Sequence, residues 1–392
     1  MKLVERDRTF ARHLGMNLLL VPISALLMGT EMNVLAVAAS EHPKQNTNFT
    51  FYGDFRVRYE LDYDSQTAAG VARADRNRGR IRARLGFNFQ VSEDWSVGAR
   101  VRTGSSKGQQ SSHLSFANDD GTAEDFDLVP DRYFVQFKRD GFTAWGGRNT
   151  SPFWYQNEMF WDDDATPTGL AGSYALHVGD GNLTAAGGAF YLPAGGYDLN
   201  GQMLAGQLKY NHPVGPSQVT AAAGLYYMHG EKGARYLLNR NGERDYLIGT
   251  ASAQWSAPVK GIPLSLGADV FHNFMDYSAA DVAPFPVVDA NQTLGYVFSV
   301  QLGQLKKRND WLLGYYYVHI ETFSVNASYA QDDWVRFSSG AQTDSSNFKG
   351  HEIRGAYAIT KDLNLMARLY LVDAITTVQD GNRFRVDLNW KF

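Results

Sequence analysis

The arginines of this chain are spaced so that several of them could act together on one face of a strand. In "GRIRARLGFNFQ", arginine recurs at every second position, at Arg80, Arg82 and Arg84. Successive side chains point to opposite faces in a β-strand, so these guanidinium groups share one face, while Ile81 and Leu85 lie on the other. Guanidinium groups stay charged and bind carboxylates and other anions. The spacing therefore predicts a sheet with fixed positive charge on one face.

The elements that must position these arginines are predicted to be strands throughout. From residue 49 onward we predict about sixteen of them and no segment with a helical period. The predicted strands lie near 49–63, 79–92, 95–103, 131–139, 141–148, 169–178, 181–192, 201–212, 216–229, 244–257, 260–275, 290–303, 310–323, 346–359, 361–374 and 381–392. Brief breaks such as "SED", "RDG" and "TKD" alternate with mostly long ones such as "SQTAAGVARADRNR". This asymmetry is typical of antiparallel transmembrane β-barrels with short periplasmic turns and long extracellular loops.

The composition agrees with a barrel of this kind. The 392 residues include 38 glycines and 13% aromatic residues, and the formal net charge is −4. The mean hydropathy of −0.34 is that of an ordinary soluble chain, because half of each barrel strand is polar. The absence of cysteine excludes a disulfide scaffold and thiolate metal chemistry. A mildly acidic chain does not favour nucleic-acid binding.

The last strand shows why the charged face belongs in water. "RFRVDLNWKF" sends Phe384, Val386 and Leu388 one way, and Arg383 and Arg385 the other. A soluble core would not tolerate the charged set, but a water-filled lumen would. The predicted basic wall of that lumen comprises Arg56, Arg58, Arg80, Arg82, Arg84, Arg100, Arg102, Arg132, Arg148, Arg383 and Arg385. An alternative interpretation is a face of ion pairs that stiffens the wall, with Asp54, Glu60 and Asp62 as partners.

The N-terminus is predicted to be an export signal. Basic residues precede the apolar stretch "MNLLLVPISALLMG", and small residues follow in "LAVAAS". The predicted organisation is a signal peptide over residues 1–40 and an outer-membrane β-barrel over residues 41–392.

Two passages resemble a known family. "GRNTSPFWYQNEMFWDDDATPTGLAG" and the terminal "FRVDLNWKF" are similar to the putative porins of Gram-negative bacteria. The resemblance implies an outer-membrane channel for passive diffusion of small hydrophilic solutes and ions, a homotrimer, and recognition of Phe392 by the barrel-insertion machinery. It also implies contact with outer-membrane lipid and lipopolysaccharide. By position it marks Arg148, Pro152, Phe153, Trp154, Trp161, Asp162, Asp163 and Asp164 as loop elements.

In sixteen-stranded porins the third long loop folds inward, which implies the same for residues 149–168. The predicted constriction residues are Phe153, Trp154, Tyr155, Glu158, Trp161, Asp162, Asp163 and Asp164. Aromatic side chains could pack such a loop against the wall. An acidic loop opposite a basic wall would set a transverse field across the channel. The alternative interpretation is that residues 149–168 form an exposed extracellular cap. The sequence does not determine whether the channel prefers anions or cations, because the basic wall and the acidic loop have opposite effects.

Two other functions remain open at this point. In a substrate-specific channel, Trp154, Tyr155 and Trp161 would form a stacking track for a sugar or an organic acid. In a non-conducting adhesion or anchoring barrel, the loop at 324–345 would be the contact.

The sequence does not favour an enzyme. "GSSKG" at 104–108 matches the G-x-S-x-G pattern, but no helical period follows it. His319 and His351 have no nearby serine partner in the pattern, and "NDDGTAEDFD" departs from the calcium-loop spacing. We therefore predict no catalytic residues, no metal site and no cofactor.

Overall fold

The computed structural model describes residues 48–106, 110–119, 121–191, 201–230, 244–283, 285–335 and 345–392. The predicted signal peptide lies outside the described residues. The strands are β1 (Phe49–Gln66), β2 (Arg76–Gln90), β3 (Trp95–Thr103), β4 (Leu114–Asn118), β5 (Leu128–Arg139), β6 (Phe142–Arg148), β7 (Thr168–Val178), β8 (Gly181–Tyr191), β9 (Gln202–Val214), β10 (Ser217–His229), β11 (Tyr246–Val259), β12 (Ile262–Asn273), β13 (Leu294–Gly303), β14 (Trp311–Ile320), β15 (Phe348–Ala358), β16 (Leu363–Ala374) and β17 (Asp380–Lys391). A short helix α1 (Ala279–Val282) and a 3₁₀ turn (Val287–Asn291) lie between β12 and β13.

Antiparallel pairing joins each strand to its neighbour and closes the sheet where β17 pairs with β1. The closed barrel has sixteen strand positions, although seventeen strands are numbered. The strand β3 and the short β4 share one position, because they pair with successive parts of β2. The predicted fold class, an antiparallel barrel of about sixteen strands, is confirmed. Strand β4 and helix α1 were not predicted, since both are short segments inside long connections.

Tight turns lie at one end of the barrel. The β5–β6 turn places Asp140 and Gly141 at φ of 48° and 81°, and the β11–β12 turn places Lys260 and Gly261 at 52° and 79°. Two successive positive φ values are what a two-residue hairpin needs to match the strand twist. The long connections, including 104–127, 149–167 and 321–347, leave from the other end.

The outer face is apolar. On β1, the outward side chains Phe55, Val57 and Tyr59 are exposed, whereas Arg58 and Glu60 between and beside them are buried. This alternation gives the barrel a hydrocarbon exterior and a polar interior. No helix among the described residues has the length and apolar character that a membrane span requires.

The interior has two different halves. Arginines and their carboxylate partners line the wall formed by β1, β2, β3, β5 and β17. Elsewhere an apolar core packs strand residues such as Tyr226, Phe271 and Val318 against loop residues such as Phe160 and Phe323. Loops that enter the barrel therefore have an apolar surface to pack on and a charged surface to face.

Candidate functional site

The predicted wall arginines are all buried or half-buried on the inner side of the barrel. Most of them pair with carboxylates of the described chain. Arg82 and Arg84 hold the two oxygens of Asp54 at 2.9 and 2.6 Å, and Arg383 holds Asp62 at 2.6 Å. Further pairs within the wall are Arg58–Asp387, Arg76–Asp62, Arg78–Glu60 and Arg100–Asp131. The wall is therefore an ion-paired lattice, as the alternative interpretation of the sequence supposed.

Asp131 was missed by the sequence analysis. A register shift between Arg100 and Val101 in the pairing of β3 with β5 turns Asp131 inward beside Arg132. Its carboxylate accepts from Arg100 Nε at 3.0 Å and is fully buried. The neighbouring Pro130 was the available signal, since proline inside a strand commonly marks a bulge.

Loop 149–168 crosses the inside of the barrel. On one side, the backbone N–H of Trp154 donates to Gln207 Oε1 of β9 at 2.8 Å, and Asn157 Nδ2 donates to Asp269 of β12 at 2.6 Å. On the other side, Asp164 contacts Arg82 at 3.3 Å and also pairs with Arg84. The loop is thus attached to both walls at its two ends.

Aromatic contacts hold the middle of this loop. Phe153 and Phe160 pack on Tyr226, with ring centroids 5.2 and 4.7 Å apart. Trp161 stacks on Tyr329 at 5.3 Å and donates its indole N–H to Ala165 O. Trp161 is only 3% exposed. It is therefore part of a packed core and offers no open face to the stacking track considered in the sequence analysis.

A second loop enters the barrel, and the sequence analysis did not predict it. Residues Phe323, Val325, Ala327 and Tyr329 are essentially fully buried. This loop touches loop 149–168 directly, since Asp162 N–H donates to Tyr329 O at 2.8 Å and Gln331 N–H donates to Glu158 O at 3.0 Å. The alternation of apolar residues in "FSVNASYA" was the available signal.

The hypothesis that loop 324–345 is an exposed adhesive contact is therefore wrong for its described part. Residues 324–331 are buried inside the barrel. Residues 336–344 lie outside the described residues.

A third connection completes the arrangement. Gln110, after β3, donates its amide to Ala327 O at 2.7 Å, and Ser112 donates its hydroxyl to Asp164 at 2.9 Å. The adjacent His113 is buried and contacts Arg56 Nη1 at 3.4 Å. Burial and the surrounding arginines hold the pKa of His113 well below its usual value, so the imidazole is neutral.

Three loops and the wall enclose a narrow polar cavity of about 30 Å³. Its lining residues are Arg56, Arg82, Gln110, His113, Glu158, Asp162, Asp163, Asp164, Asp332, Asp333 and Arg368. Sequence reasoning missed Arg368 on β16, because it is a lone arginine without the two-residue repeat. It also missed Asp332 and Asp333, since it placed their loop outside the barrel.

The carboxylates around this cavity are electrostatically unequal. Burial, Asp163 and Asp333 raise the pKa of Glu158 to about 8. Burial and neighbouring carboxylates also raise the pKa values of Asp162 and Asp163. Burial opposes ionisation of Asp164 as well, but Arg82 and Arg84 outweigh it and hold its pKa well below the usual value. Asp164 is thus a fixed anion of the lattice, whereas for the other three the combined effect of burial and neighbouring carboxylates outweighs that of the nearby arginines.

The acidic loop was expected to face the basic wall across open space. Instead Asp164 lies directly on that wall, and Glu158, Asp162 and Asp163 line the cavity beside it. The oxygens of Asp162, Asp163 and Asp164 lie within 4.8 Å of one another, a spacing a cation could bridge. However, Asp164 is already committed to two arginines and Ser112.

The described parts of "GSSKG" and "NDDGTAEDFD", which resemble an enzyme motif and a calcium loop, make local structural contacts. Glu124 accepts from Ser115 N–H, and Asp119 accepts from Asn77 N–H at 2.8 Å. Gly104–Ser106 leave the end of β3, and the next element of the described chain is the strand β4.

Comparison with known proteins supports a porin-like barrel. A family model described as "Putative porin" matches residues 69–207. The fold is similar to OprB of Pseudomonas putida, with 11% identity, a TM-score of 0.55, and 88% of this chain and 94% of that chain covered. It is also similar to OmpF of Salmonella typhi, with 13% identity, a TM-score of 0.51, and 88% and 97% covered. The comparison with curated protein sequences found no match.

The matched segment contains the arginine-rich β2 and β3 and the whole of loop 149–168. The predicted resemblance to the porin family is therefore confirmed, and together with the barrel fold it indicates the bacterial outer membrane and supports a porin-like channel. These findings favour a non-enzymatic channel.

Proposed function

We propose that the barrel allows passive diffusion of small hydrophilic solutes and ions across the outer membrane. The observation that carries this proposal is the polar cavity where loop 149–168 and loop 321–335 meet the arginine wall. Charged and polar groups surround a space of about 30 Å³, which is large enough for a water molecule. Its polar lining favours hydrated polar solutes over apolar ones.

Single-channel recording of the refolded protein in a planar bilayer tests this function. Stepwise openings, with conductance proportional to salt concentration, are the expected result. A heat-denatured sample prepared in the same detergent is the control. If barrels with an intact folded-state gel mobility give no openings, the lumen is closed and the diffusion proposal fails in favour of an anchoring barrel.

We propose in addition that residues 1–40 are removed on export and that the mature barrel forms homotrimers. The exposed Phe49 and Phe51, with the half-buried Phe87 beside them at the short-turn end of β1 and β2, offer an outer face for subunit contact as well as for lipid. N-terminal sequencing of protein from outer membranes should begin close to Glu41. Light scattering in mild detergent should give three times the monomer mass, and a monomer mass would contradict the trimer.

A further inference from the structure

One short turn of the barrel carries a run of exposed positive charge. The β13–β14 connection contains Lys306, Lys307 and Arg308 in succession, and all three are exposed. None of them has a carboxylate of the described chain within salt-bridge distance. Lys260, in the adjacent β11–β12 turn, is a fourth exposed basic residue without such a partner. We call these four residues the basic rim.

The β13–β14 turn holds its basic residues in a defined structure. Asp310, the one acidic residue of the turn, accepts the backbone N–H groups of Lys306 and Lys307 at 2.9 and 3.0 Å. Asn309 has a left-handed backbone with φ of 68°, and its side-chain oxygen accepts from the hydroxyl of Tyr357 on β15 at 2.7 Å. An aspartate that accepts backbone N–H groups in this way fixes the path of a turn. The basic side chains are therefore presented together from one place.

This turn borders the apolar outer face of the barrel. Trp311 begins β14, Tyr357 lies directly opposite it in the register with β15, and both are exposed. The next outward side chains along the two strands, Leu313 and Ile353, are also exposed. Exposed tryptophan and tyrosine at the end of a barrel strand mark the level of the lipid headgroups, and short turns face the periplasm. The basic rim therefore lies at the headgroups of the periplasmic leaflet.

The other short turns do not combine these features. Arg139 in the β5–β6 turn lies 3.7 Å from Asp94 and 3.5 Å from Asp140, so its charge is compensated. The β7–β8 turn carries Asp180 and no basic residue. In the β15–β16 turn, Lys361 lies 3.8 Å from Asp362. Unpaired positive charge is thus concentrated in one sector of the periplasmic end.

We propose that the basic rim binds the phosphate headgroups of anionic phospholipids in the periplasmic leaflet. Ammonium and guanidinium groups donate to phosphate oxygens, and the acyl chains of the same lipid would lie along Trp311 and Leu313. The ligand is a lipid and not a soluble phosphate, because the charged turn adjoins an exposed apolar wall that only a lipid can cover. This inference depends on the barrel lying in the outer membrane and not on its conductance.

Native mass spectrometry of the refolded barrel in mild detergent tests the proposal. Dioleoyl-phosphatidylglycerol should bind about tenfold more tightly than dioleoyl-phosphatidylcholine, because each basic residue at a lipid surface contributes about fivefold in affinity. The variant K307Q/R308Q should lose most of this preference. The matched control K138Q/R139Q also removes an adjacent lysine and arginine from a short turn, and it should keep the preference.

Three results would overturn the lipid site. The first is equal binding of the two lipids by the wild type, and the second is an equal loss of preference in both double variants. The third is displacement of phosphatidylglycerol by millimolar glycerol phosphate, which would assign the turn to soluble phosphates. Binding of the wild type to isolated peptidoglycan without any lipid preference would likewise replace the lipid by the cell wall.

Controls separate this proposal from folding and from channel function. Heat-dependent gel mobility confirms that each variant is folded before lipid is added. A barrel that conducts but shows no lipid preference loses the lipid site and keeps the channel function. A barrel that prefers phosphatidylglycerol but does not conduct keeps the lipid site and loses the channel function.

Discussion

Asp164 is the residue through which loop 149–168 is attached to the arginine wall. It binds Arg82, Arg84 and Ser112, and it is 4% exposed. Removing one partner of a buried charged network leaves the others under-compensated. Asp54 still holds both arginines, so the expected cost for D164A is moderate, about 2 kcal/mol.

Urea unfolding of the barrel in detergent measures this cost, with D180A at an exposed turn as the control. We also expect noisier single-channel current in D164A, because the released loop end samples more positions. If D164A has the unfolding free energy and the current noise of the wild type, Asp164 does not hold loop 149–168 on the wall.

Glu158 makes the charge of the constriction depend on pH. The groups that act on its carboxyl are Asp163 and Asp333, which raise its pKa, and Arg354 and Arg368, which lower it; with burial they place it at about 8. Because an acid with a raised pKa is neutral below that value, raising the pH adds negative charge. The cation-over-anion permeability ratio should therefore rise between about pH 6.5 and pH 9.5, with its midpoint near 8.

The variant E158Q should remove this rise without abolishing conductance. A midpoint that stays near 8 in E158Q would assign the titration to another group. Asp162, whose pKa is also raised, is the first group to test in that case.

At the scale of elements, loop 321–335 fills space that an unobstructed barrel would leave to water. Its residues Phe323, Val325 and Tyr329 pack into the apolar half of the lumen. Replacing residues 324–335 with a short glycine-serine linker should widen the passage, and single-channel conductance should increase about twofold or more. Replacing the largely exposed loop 67–75 with the same linker is the control and should change little. Unchanged conductance in the first variant would mean that this loop does not limit the passage.

The strands themselves were predicted almost completely from the sequence. Strand β17, predicted at 381–392, is found at Asp380–Lys391, and β10, predicted at 216–229, is found at Ser217–His229. Period-two alternation is a local property, so it can be read from the chain. Loop 321–335 was misplaced because its burial depends on apolar strand faces that lie far away in the sequence, such as those carrying Ile248 and Val318.

At the scale of the whole molecule, closure of the barrel depends on the pairing of β17 with β1. Phe392 exchanges two backbone hydrogen bonds with Gly53, at 2.9 and 3.1 Å, and its ring lies over that glycine. We propose that the same aromatic strand is what the barrel-insertion machinery recognises. The variant F392A should lower the amount of folded barrel in the outer membrane several-fold, while refolding in detergent should remain efficient.

The control for this prediction is F298A, which removes an exposed outward phenylalanine from β13. Equal loss of refolding in detergent and of assembly in cells would assign Phe392 a purely structural role.

The sequence by itself determined the two-faced strands, their approximate limits, the alternation of short and long connections, and the side of the sheet on which the arginines lie. All of these follow from the period of a strand and from turn chemistry, which act over a few residues. Only the tertiary structure decided what the arginines do. Their partners, such as Asp387 for Arg58 and Asp164 for Arg84, come from strands and loops distant in sequence. The register that brings them together, and the bulge that turns Asp131 inward, depend on the closed barrel as a whole.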